Sequence, residues 1–135
     1  MKILITKTVP QQCSRPITER IKTFEDACMC LGIEGNIFSG DLHDKLSRDA
    51  EAIEAFMKLV IITRALNEGW EPNWNDSNEY KHYAWWKMKG GFELSVVNCR
   101  NGASTVGSRL CFKTEALAKY AAKQFKDLYK EFMTL

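Results

Sequence analysis

The chain has 135 residues, enough for one domain with a core of its own. Hydrophobic residues make up 45% of it and charged residues 27%, so the composition excludes a disordered tail, a collagen-like fibre and a coiled coil. No apolar run approaches the roughly 20 residues that span a bilayer, so we expect no membrane partner. We predict a single domain over 1–135, in which 1–20 is an N-terminal arm or an edge strand.

Charge is unevenly distributed along the chain, although the net charge is only +2. Residues 34–79 hold ten acidic and four basic side chains, whereas residues 80–112 hold five basic and one acidic. Such an asymmetry steers charged partners toward one part of a molecule without identifying them.

The cysteines and the N-terminus indicate a reducing compartment. The cysteine count is odd, and the spacing does not resemble a disulfide framework: Cys13, Cys28, Cys30, Cys99 and Cys111. The apolar patch near the N-terminus is too short for a signal-peptide core, and no small-residue cleavage site follows it. We therefore predict a cytoplasmic protein with reduced thiols that pack as small hydrophobic side chains.

A short strand signal at 2–9 precedes the first helix signal. Thr23 has the position of an N-cap, with Asp26 three residues later as in a capping box. Gly32 is a helix-ending residue, so a helix over about 24–31 is predicted.

The second helix signal is the strongest local pattern, and it is apolar on two opposite sides. Apolar residues from Ile53 to Ile61 follow the i, i+3, i+4, i+7, i+8 spacing of a buried face. Leu59, Ile62 and Leu66 lie on the other side. Two apolar sides predict a central helix packed between two layers.

Three strand-like runs follow, at about 80–88, 92–99 and 106–112, joined by turns that contain glycine. Thr114 then begins an amphipathic helix over about 115–132. Its outer face carries a lysine stripe made of Lys119, Lys123, Lys126 and Lys130. The order (β)ααβββα predicts an α+β fold in which a three-stranded antiparallel meander packs with about three helices.

Matching apolar faces define the predicted core. Its central members are Phe56, Val60, Leu94, Leu110, Phe112, Leu117, Phe125 and Leu128. Strand alternation adds to the same side Ala84, Trp86, Met88, Phe92 and Val96.

The same alternation gathers aromatic and basic side chains on the opposite sheet face. They are Tyr83, Trp85, Lys87, Arg109 and Lys113. Stacking rings beside cationic groups suit single-stranded nucleic acid, so this face is one candidate site. The competing interpretation is that a helix or a loop covers it.

The segment WEPNWNDSNE, residues 70–79, is predicted to be a loop. Trp70 and Trp74 either close over the core or contact a protein partner. The Asn and Asp residues suit turns better than a calcium site, because the EF-hand spacing and its glycine are missing. Arg64, in line with an apolar helix face, either forms a structural ion pair or binds an anion.

Motifs for catalysis, phosphate binding or dinucleotide binding are absent from the sequence, so no cofactor and no enzymatic activity are predicted. Histidine is scarce. His43 beside Asp41 and Asp44, or His82, would have to serve any small hydrolase-like activity.

Three segments support a resemblance: VGSRLCFKTEALAKYAAKQFKDLYKEF, ALNEGWEPNWND before it, and IKTFEDACMCLGI near the start. The chain from about Ile21 to the C-terminus resembles small uncharacterised proteins encoded in phage and mobile elements of gut bacteria. The resemblance brings no activity, cofactor or site residue. It implies an accessory or interaction protein rather than a metabolic enzyme.

The expected function is therefore a non-enzymatic binding or accessory module that engages a protein partner. The alternatives are single-stranded nucleic-acid binding through the sheet face, a virion or assembly component, and a small hydrolase-like enzyme. Oligomeric state, which the sequence does not fix, separates the assembly component from the others.

Overall fold

The computed structural model of the protein describes residues 14–34, 46–104 and 107–134. Within these ranges there are five α-helices, one short 3₁₀ helix and a two-stranded antiparallel sheet, so the α+β class is confirmed. In chain order they are α1 (Ile17–Arg20), α2 (Phe24–Leu31), α3 (Arg48–Leu66), β1 (Lys81–Lys87), β2 (Glu93–Arg100), the 3₁₀ helix (Ser108–Leu110), α4 (Glu115–Gln124) and α5 (Lys126–Met133).

Two sequence predictions lie outside the described residues. They are the strand over 2–9 and the cluster of His43 with Asp41 and Asp44. None of the described helices is both long enough and apolar enough to cross a bilayer.

The predicted helix over 24–31 is confirmed together with both of its caps. The Thr23 hydroxyl accepts a hydrogen bond from the backbone N–H of Asp26 at 3.1 Å, and the Asp26 carboxylate accepts one from the backbone N–H of Thr23 at 3.1 Å. The Asp26 carboxylate also accepts from the backbone N–H of Lys22, and this bond is the main cause that lowers its pKa. Gly32 ends the helix in the left-handed conformation, with φ of 66°.

Helix α3 contacts α2, α5 and the 3₁₀ helix, but the prediction that both of its apolar sides are packed is wrong. The core side is the one with Leu59, Ile62 and Leu66, which are fully buried. Ile53 and Met57, on the other apolar side, are exposed. Both sides are apolar in sequence, and only the packing of the other elements decides which one is buried.

The two strands pair with a bulge that the sequence analysis did not predict. Trp85 pairs with Val96 but Trp86 pairs with Leu94, so Ser95 has no counterpart in β1. The extra residue reverses the alternation along β2 beyond it. Val96, predicted to be in the core, is consequently 50% exposed.

On the core side of the sheet, Ala84 and Trp86 are buried as predicted. The Trp86 ring stacks on Phe92 with ring centroids 4.5 Å apart and lies 5.0 Å from the ring of Tyr129 in α5. Met88 was predicted on this side and is exposed, because β1 ends at Lys87.

The third predicted strand is wrong. Residues 108–110 form the 3₁₀ helix, and among the described residues of this segment only Phe112 pairs with β1, through two backbone hydrogen bonds to His82. On either side of Phe112, the Asn67 side chain takes the place of a strand partner. It donates to the carbonyl of Cys111 at 2.9 Å and accepts from the N–H of Lys113 at 3.1 Å.

The last predicted helix forms, but it is broken at Phe125, whose φ of −114° and ψ of 26° separate α4 from α5. Thr114 is its N-cap as predicted, accepting from the N–H of Leu117 at 3.2 Å. The break allows α4 to pack on the sheet and α5 to pack on α3.

The predicted core is confirmed in part. Leu110, Phe112 and Phe125 are fully buried. The other five are half-buried and pack against the same core: Phe56, Val60, Leu94, Leu117 and Leu128.

Hydrogen bonds connect the two residues that follow α1 to helix α4. The Tyr120 hydroxyl donates to the carbonyl of Ile21, and the Gln124 amide donates to the carbonyl of Lys22 at 2.9 Å. These bonds fix α1 beside the end of α3, where Arg20 forms an ion pair with Glu68 at 3.3 Å.

Candidate binding cleft

The loop of residues 70–79 is shaped by local turn chemistry, as predicted. The Asn73 side-chain oxygen accepts from the N–H of Asn75 at 3.0 Å, and the Asp76 carboxylate accepts from the N–H of Asn78 at 2.9 Å. Within the described part of the chain, no group of three or more His, Cys, Asp or Glu residues could hold a metal ion.

A buried lysine anchors this loop to the sheet, and the sequence analysis missed it. Lys81 begins β1 and is 0% exposed. Its ammonium donates to the carbonyls of Asp76 and Asn101 at 3.0 and 2.9 Å, and lies 3.4 Å from the carboxylate of Glu79. The only sequence signal was an acidic residue two positions earlier in a run of aromatic residues.

The same network positions both tryptophans of the loop. The Glu79 carboxylate accepts from the backbone N–H of Asn73 at 2.7 Å and from the Trp70 indole at 3.3 Å. The Lys81 ammonium lies 5.3 Å from the ring centroid of Trp74, within the range of a cation–π contact. Trp70 is thus held by Glu79 at the end of the loop, and Trp74 contacts Lys81 at the start of β1.

A cleft of about 420 Å³ lies between the C-terminal half of α3, this loop and the 3₁₀ helix. Its volume is in the range of sites that bind small molecules or short segments of a partner. Its described lining residues are Val60, Thr63, Arg64, Asn67, Trp70, Glu71, Pro72, Trp74, Ser108 and Arg109.

Two arginines from different elements give the cleft its charge. Arg64 is exposed in the last turn of α3, and Arg109 is exposed in the 3₁₀ helix. Neither forms an ion pair with another residue that the structure describes, so the expected structural ion pair of Arg64 is not found there. Glu71 is the one acidic residue in the described lining of this cleft. A guanidinium group in such a lining can bind a carboxylate with two parallel hydrogen bonds.

The five residues predicted to form a nucleic-acid face do not share one sheet face. Tyr83 is 1% exposed, and its hydroxyl is buried without a hydrogen-bond partner in the described structure. Trp85 is 47% exposed, and Lys87 is exposed near it on β1. Arg109 and Lys113 lie outside the sheet, because the third strand is not formed. Arg109 joins Trp70 and Trp74 in the cleft instead.

His82 was the other residue considered for hydrolase-like chemistry. It is half-buried, and burial lowers its pKa against the weaker opposing effect of Glu115. The Glu115 carboxylate is itself bound by Lys119 at 2.7 Å.

Comparisons of the chain with models of protein families, with curated proteins and with solved structures find no match.

Proposed function

We propose that the protein is a non-enzymatic, cytoplasmic binding module that engages a protein partner through the cleft of Arg64, Arg109, Trp70 and Trp74. One observation carries the proposal: two arginines and two tryptophans from three elements line one cleft. Trp and Arg are the residues that most often dominate the binding energy of protein interfaces.

The charge and shape of the cleft support an anionic, partly apolar ligand. Arginine matches a carboxylate with two parallel hydrogen bonds, and tryptophan offers a large apolar surface to a side chain beside it. Glu71 in the lining repels a chain of phosphates more than a peptide of mixed charge. The resemblance to proteins of phage and mobile elements agrees with an accessory role of this kind.

Single-stranded nucleic acid is the second candidate, and Trp85 with Lys87 is the surface that favours it, since both are exposed on the hairpin. An assembly component is a third possibility that solution mass distinguishes, because it requires self-association.

The test begins with a displayed library of random peptides of about twelve residues, which span up to roughly 40 Å when extended. We expect selection on the wild-type protein to enrich acidic peptides with Kd below about 100 μM. Arg109→Ala should weaken them about tenfold, the worth of one charge-assisted contact. Lys123→Ala removes the same charge from the exposed face of α4 and should have no effect.

Two results would overturn the proposal. One is a selection that enriches no peptide, and the other is equal binding of the enriched peptides to the wild type and to Arg109→Ala. A labelled single-stranded oligonucleotide is measured in parallel at about 50 and 200 mM salt. Binding that depends on Trp85 and Lys87 but not on Arg109 would favour the nucleic-acid alternative.

A further inference from the structure

A second cavity of about 390 Å³ adjoins the cleft at Arg64. It lies among α1, α2 and the end of α3, and its described lining residues are Ile17, Arg20, Cys30, Leu31, Arg64, Ala65, Glu68 and Gly69. Arg64 belongs to both linings, so the two spaces meet at this residue.

The two spaces differ in the chemistry of their apolar walls. The described lining of the cleft includes Trp70 and Trp74 beside the aliphatic Val60 and Pro72, whereas the apolar lining of the second cavity, including Ile17 and Leu31, has no aromatic residue among those described. A basic group lies between them at Arg64. The order along the surface is aromatic, cationic, aliphatic.

The second cavity is a preformed feature of the fold. Arg20 is held by Glu68 at 3.3 Å, and the chain that follows α1 is bonded to α4 through Tyr120. Glu68 and Gly69 adopt positive φ angles of 48° and 85°, which turn the chain sharply at the end of α3 and form the rim. A ligand therefore meets walls that are already in place.

We infer, on the basis of the proposed function, that the ligand is an extended acidic peptide segment that crosses Arg64 and fills both spaces. An aromatic residue or proline lies against the tryptophans, an acidic residue binds Arg64, and an aliphatic residue enters the second cavity. A compact ligand fills only one of two spaces that meet at a single residue, whereas an extended chain presents side chains to both.

The lining favours a peptide over a nucleic-acid strand. A strand of nucleotides needs further stacking surfaces along its path, and the described lining of the second cavity contains no aromatic residue. Glu71 in the cleft and the Arg20–Glu68 ion pair in the cavity also leave few cationic groups for a run of phosphates, whereas a peptide needs only one acidic residue at Arg64.

The experiment fills the second cavity and leaves the cleft intact. Cys30 is exposed and lines the cavity, so Cys30→Phe occupies space without removing a core residue. Met29→Phe adds a ring to the neighbouring residue, which is exposed and does not line either space, and it is the matched control. Thermal unfolding of both variants confirms that they fold.

Each apolar residue of a peptide selected on the wild type is replaced by glycine in turn, and Kd is measured by fluorescence anisotropy. We expect one aliphatic position whose replacement weakens binding to the wild type about tenfold, the worth of one buried aliphatic side chain. The same peptide replacement should change the Kd for the Cys30→Phe variant less than twofold, because the added ring already excludes the aliphatic side chain of the peptide from the cavity. Met29→Phe should behave as the wild type.

The outcomes separate this inference from the proposal on which it rests. If Arg109→Ala weakens binding but Cys30→Phe does not, the cleft binds peptides and the second cavity takes no part, so the inference is wrong. If Arg109→Ala has no effect, the proposed function itself fails. Displacement of the peptide by an eight-nucleotide oligothymidylate of similar affinity would also overturn the assignment to an acidic peptide.

Discussion

Replacing Lys81 by methionine tests whether the buried lysine organises the tryptophan loop. The variant keeps the hydrocarbon stem but removes two hydrogen bonds, to the carbonyls of Asp76 and Asn101, and the ion pair with Glu79. Hydrogen bonds from a charged group contribute about 1.5–3 kcal/mol each, and part of this is offset because the ammonium no longer has to be desolvated. We expect the free energy of unfolding to fall by about 3 kcal/mol, a large share of the 5–15 kcal/mol typical of a domain.

The measurement is urea unfolding followed by far-UV circular dichroism, with near-UV spectra of the folded variant to report on the tryptophans. Lys87→Met is the control, because Lys87 is exposed at the other end of the same strand. It should change the unfolding free energy by less than about 0.5 kcal/mol. A loss below about 1 kcal/mol for Lys81→Met, with an unchanged near-UV spectrum, would refute the assigned role of Lys81.

Three further predictions concern the core, the thiols and pH. In urea titrations, Phe125→Ala should lower the unfolding free energy by about 3–5 kcal/mol, because Phe125 is buried. Leu128→Ala should lower it by clearly less, because Leu128 is only half-buried, and equal losses would contradict this difference in burial. When the unfolded chain is alkylated without reductant, mass spectrometry should find all five cysteines modified. Fewer than five modified cysteines, in protein kept from oxidation, would indicate a disulfide. Because burial lowers the pKa of His82, the unfolded chain binds a proton at this residue more readily than the folded protein, so stability should fall as the pH drops through about 6.5. Unfolding curves of His82→Gln at pH 7.5 and 5.5 should show a smaller loss of stability than those of the wild type. The same pH dependence in both proteins would contradict this prediction.

Local signals in the sequence predict α2, α3 and the start of α4, but not α1 or the division of the last helix into α4 and α5. Thr23 and Thr114 both cap the helices they were expected to begin, because a hydroxyl and the free N–H groups of a first turn lie within a few residues of each other. The α+β class follows from the same signals. Interruptions within elements are harder to predict. Neither the helix break at Phe125 nor the β-bulge at Ser95 coincides with a glycine or a proline, the residues from which such an interruption is usually predicted.

The third predicted strand is reduced to a bridge at Phe112, because residues 108–110 turn into the 3₁₀ helix just before it. Its residues have strand-like alternation, but the backbone groups of Cys111 and Lys113 are bonded by Asn67, more than forty residues earlier. These two groups point away from β1, because both backbone groups of Phe112 itself bond to His82, so Asn67 holds the outer edge of this segment. Periodicity describes only the local chain, so it does not reveal a contact with a side chain that is distant in the sequence.

The candidate cleft was missed as a unit for the same reason. Arg64, Arg109 and the two tryptophans were each considered, but a strand through residue 109 assigns Arg109 to the sheet. Asn67 lies one turn beyond Arg64 at the end of α3, and it holds the segment that follows the 3₁₀ helix. That contact brings Arg109 to the rim of the space that Arg64 also lines. The buried amide of Asn67, which holds the outer edge of the segment around Phe112, is therefore also the contact that assembles the proposed binding site.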